Sequence, residues 1–258
     1  MTAEVSTARR LRGGRRLSTG HTLYWWAEII AILVYYAVYS AIRNIHGGGN
    51  HAPPHAFDHA RQIMSLEHHL GIFHEATLQS WAPRAVIIVS NYFYGSLHFI
   101  VTIFAGVFLY RRYADDYPRF RNTLAIATGL ALIGFALYPL APPRMFPQLG
   151  FVDTLAKDPT FWSFNSGGMQ NVSNQFAAMP SVHIAWAGFC ALALAPRLKR
   201  PALKVLAAVY PLITLTVIVV TANHYILDAV GGAVVLTIGW IIAGRITRAG
   251  RVIEDPVS

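Results

Sequence analysis

The sequence predicts an all-α membrane protein, a polytopic bundle of six transmembrane helices. Hydrophobic residues make up 54% of the 258 residues and charged residues only 13%, and the mean hydropathy is +0.41. This composition is too apolar and too poor in charge for an ordinary soluble domain. Apolar runs long enough to cross about 30 Å of hydrocarbon recur along the chain. They lie at Leu23–Ile42, Ala85–Tyr110, Thr123–Leu140, Pro180–Ala195, Leu203–Ala222 and Tyr225–Gly244.

These runs predict a single six-span membrane domain over residues 23–246. A basic tail at 1–22 precedes it and a short tail at 247–258 follows it. With six crossings, both tails face the same side of the membrane. Two long loops, 43–84 and 141–179, then face the other side.

The basic residues indicate which side is the cytoplasm. Lys and Arg number 21 against 12 Asp and Glu, which gives a net charge of +9. Sixteen of the 21 fall in the N-terminal tail, 111–121, 197–204 and 245–251, all on one side if the six runs cross. By the positive-inside rule, we expect that side, with both termini, to be the cytoplasm of an inner (plasma) membrane. The charge is therefore an orientation signal, and no nucleic-acid partner is expected.

The first outer loop also carries a helical pattern. From Phe57 onward, Ile63, Leu66, Leu70 and Ile72 recur at roughly helical spacing among polar residues. This pattern predicts an amphipathic helix lying on the outer leaflet.

Two histidine motifs open the fourth and sixth runs. The stretch "MPSVH" places His183 at the outer end of the fourth run, and "NHYILD" places His224 and Asp228 at the outer end of the sixth. The two histidines are expected to share one site on the extracytoplasmic side. Asp228 follows His224 by four residues, one helical turn, where a carboxylate can hold an imidazole in one tautomer. Ionisable residues at that depth are costly and favour a functional interpretation.

The surroundings of these motifs are typical of anion binding. Pro180 and Ser181 stand at a helix start, where free backbone N–H groups bind phosphate. Arg144, in "APPRM" after the third run, is the only Arg of the second outer loop and can clamp the same anion. Taken singly, a Pro-Ser start is more often only a helix cap, and Arg144 can simply contact lipid headgroups.

Further polar residues face the same region. Asn91, Tyr94 and His98 share one face of the second run, and Thr221 and Asn223 stand beside His224. They either bind substrate hydroxyls or hydrogen-bond between helices.

The motifs resemble a known family. "PSVH" and "HYILD" are similar to the PSxH and HxxxD signatures of the type 2 phosphatidic acid phosphatase superfamily. "HARQIMSLEHHLGIFHEATLQ", "NYFYGSLHF" and "YPLAPPRM" resemble its bacterial branch allied to inositol phosphorylceramide synthases, which are inositolphosphotransferases. The likeness covers roughly 57–232. It implies a helical-bundle membrane enzyme, without metal or cofactor, that acts on a phospholipid or a lipid phosphate. By the same resemblance, His224 attacks phosphorus to form a phosphohistidine, His183 protonates the leaving oxygen, and Asp228 orients the nucleophile.

Two departures from the phosphatase pattern bear on the substrate. That branch has a Lys where this chain has Leu137 and an Arg where it has Ile218. Fewer cations suit a phosphodiester better than a phosphomonoester, which carries up to two negative charges. The sequence therefore favours transfer of a phosphorylated headgroup from a phospholipid to an alcohol acceptor. A phosphatase that uses water, acting on phosphatidic acid or a polyprenyl phosphate, is the alternative, with Lys157 or backbone N–H groups supplying positive potential.

A different class of function stays open at this point. Seven of the 11 histidines lie in the first outer loop, and clustered histidines bind transition metals, so the rival is a metal-handling protein or transporter. No cysteine supports this cluster, because the only one, Cys190, falls inside the fourth run. The seven are His46, His51, His55, His59, His68, His69 and His74.

Overall fold

The computed structural model describes residues 14–45, 53–158 and 174–254. The described chain begins with an antiparallel hairpin of two short strands, β1 (Gly14–Arg16) and β2 (Thr22–Tyr24). Helix α1 (Trp25–Ile45) follows directly and exposes most of its apolar side chains, as a helix in contact with lipid does. A salt bridge of 2.6 Å between Glu28 and Arg121 ties it to the rest of the bundle.

The loops at 43–84 and 141–179 keep here the names first and second outer loop, after the predicted topology. The first of them contains two helices, α2 (Ala56–His69) and α3 (Glu75–Trp81). One face of α2 is buried against the protein at i, i+4, i+7, i+8 and i+11, which is helical spacing. The buried residues are Ala56, Ala60, Ile63, Met64 and Glu67. A helix thus lies where the pattern predicts one, although Leu66 is exposed and not part of the buried face. Its amphipathic contact with the outer leaflet stays a prediction.

The second run forms one continuous helical rod from Arg84 to Arg112. It consists of α4 (Arg84–Tyr92), one π-helical turn (Phe93–Leu97) and α5 (His98–Arg112). Pro83 precedes the rod and holds the preceding residue, Ala82, in an extended conformation, which separates α3 from α4.

Helix α6 (Tyr117–Leu137) forms the third long apolar helix. It begins earlier than the apolar run suggests, because Pro118 fits the first turn of a helix. It ends at Leu137 because Tyr138 precedes Pro139 and leaves the helical conformation. The second outer loop then forms two single 3₁₀ turns and a short helix, at Pro143–Met145, Pro147–Leu149 and α7 (Thr154–Lys157).

The last three helices are α8 (Val182–Leu194), α9 (Pro201–Val220) and α10 (Ile226–Glu254). Helix α8 starts two residues later than predicted, since Ser181 is an extended N-cap residue. Within the described part of the chain, five helices are long and apolar enough to cross a membrane, and α8 is a shorter apolar helix of 13 residues. The helical membrane bundle is confirmed, and the count of six crossings stays a prediction.

Two main clusters of buried apolar side chains fill the bundle. One lies between α5, α6, α8, α9 and α10 and includes Phe120, Phe189 and Tyr210. The other is built by the outer loops around the start of α10, with Leu140, Phe146, Phe151, Phe176 and Tyr225 among its members. The outer loops therefore fold as a packed cap over the ends of α9 and α10. Parts of both predicted tails, 1–13 and 255–258, lie outside the described residues, and the division into domain and tails stays a prediction.

Candidate active site

The N-terminal ends of α8 and α10 lie side by side under this cap. The backbone N–H of Ser181 donates to the carbonyl oxygen of Asp228 at 2.9 Å. Gly231 and Gly232 allow this approach, since a Cβ built on Gly232 would overlap the carbonyl oxygen of Ser181. The small residues of α10 thus bring the two histidine motifs, distant in sequence, to one point.

His224 and Asp228 form the central pair of the site. The Nδ1 atom of His224 lies 3.2 Å from Oδ2 of Asp228, and both side chains are buried. The same Oδ2 accepts a hydrogen bond from the backbone N–H of Tyr225 at 3.0 Å. An oxygen that already accepts one bond takes a second from Nδ1–H, which leaves Nε2 of His224 with its lone pair. This is the arrangement of a nucleophile or base held by an orienting carboxylate.

His183 faces His224 from the first turn of α8. The centroids of the two imidazole rings are 5.5 Å apart. Tyr94 stacks on His183 at 4.3 Å with an interplanar angle of 18°. His98 packs beside it at 4.4 Å. These contacts fix the plane of the His183 ring beside His224.

The π-helical turn between α4 and α5 carries Tyr94 into this site. π-helical turns are rare and concentrate at functional sites, since the extra residue redirects the side chains around it. Here the turn places Tyr94 against His183, with its ring centroid 6.4 Å from that of His224.

Arg144 approaches from the second outer loop and is buried. Its Nη1 donates to Oδ1 of Asn223 at 2.5 Å, and its backbone N–H donates to the carbonyl oxygen of Ala222 at 2.9 Å. Ala222 has a φ of 52°, in the left-handed region, so the chain turns sharply between α9 and His224. Burial lowers the pKa of the Arg144 guanidinium, which nevertheless stays charged at any physiological pH because arginine titrates so high.

Ser181 caps α8 without using its side chain. Its hydroxyl is fully buried and has no hydrogen-bond partner among the residues that the structure describes. The first bond of α8 runs from Ala185 N–H to the carbonyl oxygen of Ser181, so the N–H groups of the preceding turn stand outside the helical ladder. A hydroxyl and a helix N-terminus together can accept an anion.

The remaining predicted residues divide into two groups. Asn223 holds Arg144, as described, and also donates to the hydroxyl of Thr221 at 2.8 Å. Asn91 is instead bonded through both ends of its amide to Thr154, at 3.0 and 2.8 Å, and is fully buried. These contacts favour the structural interpretation of Asn91, namely that it anchors α7.

Two buried glutamates of the cap, Glu67 and Glu75, were missed by the sequence reasoning. Both lie under the start of α10 and have no exposed surface. The sequence held one signal for Glu67, since it falls on the same helical face as Ala60 and Ile63. An acidic residue on a buried face indicates a specific partner.

The histidine-rich loop does not assemble as a metal site in the part of the chain that the structure describes. There, no three His, Cys, Asp or Glu side chains come together in a way that could hold a metal ion. His59 stacks on Tyr138 at 3.9 Å, and His69 bonds to a backbone carbonyl of its own helix. His46 and His51 lie outside the described residues.

Comparison with known families agrees with this geometry. A family model described as the PAP2 superfamily matches residues 61–242, which is more than half of the chain and includes both histidine motifs. The chain belongs to the PAP2 superfamily. Membership in the PAP2 superfamily supports an enzyme, a phosphatase or phosphotransferase of lipid-type substrates. No curated protein and no solved structure gives a match to the chain.

Proposed function

We propose that this protein transfers a phosphorylated headgroup, such as phosphoinositol, from a phospholipid to an alcohol through a phosphohistidine on His224. The proposal rests mainly on one observation, the buried His224–Asp228 pair with His183 facing it across 5.5 Å. A nucleophile, its orienting carboxylate and a second imidazole for proton transfer are the groups that two-step transfer requires.

In the first step, Nε2 of His224 attacks phosphorus and forms a P–N bond. The P–O bond to the diacylglycerol oxygen breaks, and protonated His183 gives its proton to that oxygen. In the second step, His183 takes the proton of the acceptor hydroxyl, whose oxygen attacks phosphorus. The P–N bond breaks, and both histidines return to their starting state. The carboxylate of Asp228 stabilises the positive charge that His224 acquires in the intermediate.

The charge of the phosphate cradle supports a diester substrate. Arg144 is the only buried Arg or Lys among the described residues, which matches the single negative charge of a phosphodiester. At the two positions where the phosphatase pattern has cations, this chain has apolar residues, one buried and one exposed. Ile218 is fully buried among other aliphatic side chains, and Leu137 is 77% exposed at the end of α6.

A specific observation also favours a second candidate, a lipid phosphate phosphatase. The Ser181 hydroxyl and the N–H groups of the first turn of α8 are donors beyond Arg144. Together they suit the second negative charge of a monoester. Hydrolysis would use the same residues, with water in the place of the alcohol.

The test uses purified protein in detergent with excess chelator, beside His224→Ala and the control His69→Ala. His69 is exposed on α2 and bonds only to its own helix, so its loss should leave activity intact. Phosphatidylinositol with a long-chain alcohol, phosphatidic acid and a polyprenyl phosphate are offered in turn. Transferred headgroup and free phosphate are counted separately.

We expect headgroup transfer by the wild type and by His69→Ala, and none by His224→Ala. An acid-labile, alkali-stable phosphoryl label should appear on His224 when the acceptor is left out. Free phosphate without transfer would favour the phosphatase instead. Activity that survives His224→Ala would contradict both candidates.

A further inference from the structure

Two carboxyl groups from the first outer loop bind the start of α10 beside the site. Glu67, on α2, and Glu75, the first residue of α3, are both fully buried. Carboxyl groups are rarely buried to this extent unless they have specific partners. The described mechanism uses neither of them.

Their partners are successive backbone N–H groups of the last helix. Oε1 of Glu67 accepts from Leu227 N–H at 2.7 Å, and Oε1 of Glu75 accepts from Ile226 N–H at 3.1 Å. The preceding N–H, of Tyr225, donates to Asp228. The first N–H groups of a helix have no partner within the helix and are usually capped by a side chain next to them in sequence. Here the caps come from helices about 150 residues earlier in the chain.

The other oxygens of the two carboxyls favour a protonated Glu67 over two ionised carboxylates. Oε2 of Glu67 and Oε2 of Glu75 are buried and have no donor among the described residues, while the two side chains are within hydrogen-bonding reach of each other. Two ionised carboxylates cannot bond, whereas one proton between them makes an O–H···O bond. Burial, the bond to Glu75 and the charge of Asp228 raise the pKa of Glu67 well above its usual range. The other titratable groups facing this pair are Tyr225, just before α10, and Asp228 in its first turn.

The placement of this pair matters for the nucleophile. The bond between His224 and Asp228 spans one helical turn, and the backbone of that turn is Tyr225, Ile226 and Leu227. Glu67 and Glu75 hold two of these three residues. A shift of this turn would rotate the carboxylate away from the imidazole.

We propose that Glu67 and Glu75 are positioning residues, a carboxyl clamp that fixes the backbone of 225–227 and thereby aligns His224 with Asp228. This inference rests on the proposed function in that it gives the clamp a role in the chemical step. The clamp concerns only the backbone of 225–227, so its effect on amide hydrogen exchange can be measured without any substrate. The outer loop is then part of the catalytic assembly and not only a cover for it.

The test compares Glu67→Leu, Glu67→Gln, Glu67→Asp and the control Asp58→Asn. Leu keeps the volume and removes the acceptor, Gln keeps an acceptor and a donor for Glu75, and Asp withdraws the carboxyl by one methylene. Asp58 is on the same helix, exposed, and paired with Arg61. Amide hydrogen exchange is measured on the peptide covering 223–230, and kcat and KM are measured with phosphatidylinositol and a long-chain alcohol.

We expect Glu67→Leu to speed exchange in 223–230 and to lower kcat at least about tenfold with KM nearly unchanged, because misalignment affects the chemical step more than binding. Glu67→Gln should stay close to the wild type in both measurements, and Asp58→Asn should match the wild type. If Glu67 served packing alone, its replacement would lower activity only by unfolding part of the protein. The remaining folded protein would then show wild-type exchange in 223–230.

Unchanged exchange and kcat in Glu67→Leu would overturn the clamp. If Glu67→Leu does not fold, Glu67→Asp decides, since faster exchange there supports the clamp and wild-type exchange overturns it. If the wild type transfers no headgroup, the proposed function fails. The exchange data then still decide whether the carboxyls hold the backbone.

Discussion

The side chain of His224 is held by one hydrogen bond, from Nδ1 to Asp228. A substitution of Asp228 that keeps its shape therefore tests this bond with little disturbance of the fold. Its Oδ2 binds both the imidazole and the Tyr225 N–H. Its Oδ1 is buried and has no partner within the described parts of the chain. We therefore expect the Asp228 carboxylate both to select the tautomer of His224 and to stabilise its positive charge.

Asp228→Asn is expected to fold and to lose most of its activity. The amide can present its NH₂ group to Nδ1 and so favour the wrong tautomer, an effect of about 10⁴ in kcat for the comparable change in serine proteases. We therefore expect a fall in kcat of about 10²–10⁴ with little change in KM. Steady-state kinetics on phosphatidylinositol check this. The control is Asp116→Asn, because Asp116 pairs with Arg197 at the other end of the bundle. This substitution should leave kcat and KM nearly unchanged.

At the same scale, the sequence located the chemical groups but not their supports. The spacing of His224 and Asp228 predicts their contact, because four residues make one helical turn. The contacts of Asn223 with Arg144 and of Asn91 with Thr154 join residues 79 and 63 positions apart, and no local pattern encodes them. Glu67 was not predicted to be buried, because it stands among polar residues in a loop whose composition is typical of an exposed surface.

At the scale of elements, the junction of α8 and α10 depends on the absence of side chains. Gly231 packs against Pro180 and Gly232 against Ser181 and Ile184. Small residues on one face of a helix let a neighbour pack closely. The neighbour proves to be the N-cap of α8, so the packing also sets the distance between the two histidines.

Gly232→Ala should separate these two helix ends. Its new methyl group would overlap the Ser181 carbonyl, which is backbone and cannot rotate away. We expect a lower thermal midpoint in detergent and a loss of activity of about tenfold or more, because a displacement of about 1 Å at a catalytic group can cost 10² in rate.

Gly106→Ala is the matched control. Gly106 lies on α5, and a Cβ there meets no atom within 4 Å. Because alanine is the better helix former by about 0.5–1 kcal/mol, this variant should be at least as stable as the wild type. Equal behaviour of the two variants would mean that the junction tolerates a shift.

The bounds of the elements were predictable where proline or apolar length sets them. The long helices fall close to the predicted runs, and the start of α9 at Pro201 is a proline signal. The π-helical turn at Phe93–Leu97 was not predicted, because the run around it is mostly apolar and has no single face whose shift would reveal an inserted residue.

At the scale of the whole molecule, the cap formed by the outer loops makes stability depend on pH. Glu67 has its pKa raised in the folded protein above the usual value of about 4.3. A carboxyl of this kind binds a proton more tightly when folded than when unfolded. Its contribution is fully present below about pH 4.3 and is lost as the pH rises through the raised pKa.

We therefore expect the thermal midpoint in detergent to fall as the pH is raised above neutrality, with Glu67 contributing to the slope. Glu67→Gln removes the titrating group and should flatten this fall. A pH series of thermal unfolding on both proteins measures it, with Asp58→Asn as the control for loss of an exposed carboxylate. Identical slopes in all three proteins would contradict the raised pKa of Glu67.

The orientation of the bundle is a separate prediction at this scale. With Cys190 replaced by Ala, single cysteines are introduced at Lys157 and Lys204, both exposed. By the positive-inside rule, a maleimide that does not cross membranes should label position 157 on intact spheroplasts and position 204 only after lysis. Labelling in the reverse order would place the site on the cytoplasmic side.

The brevity of α8 has a consequence for which molecules can react. Thirteen residues of helix reach about 20 Å, about 10 Å less than the hydrocarbon thickness. If the inner end of α8 lies at the cytoplasmic surface, as the positive-inside rule predicts, its outer end would stop inside the membrane. Phosphorus would then be attacked below the level of the headgroups. An acceptor that partitions into the bilayer reaches that depth readily, whereas bulk water is scarce there. The length of one helix would thus set the balance between transfer and hydrolysis.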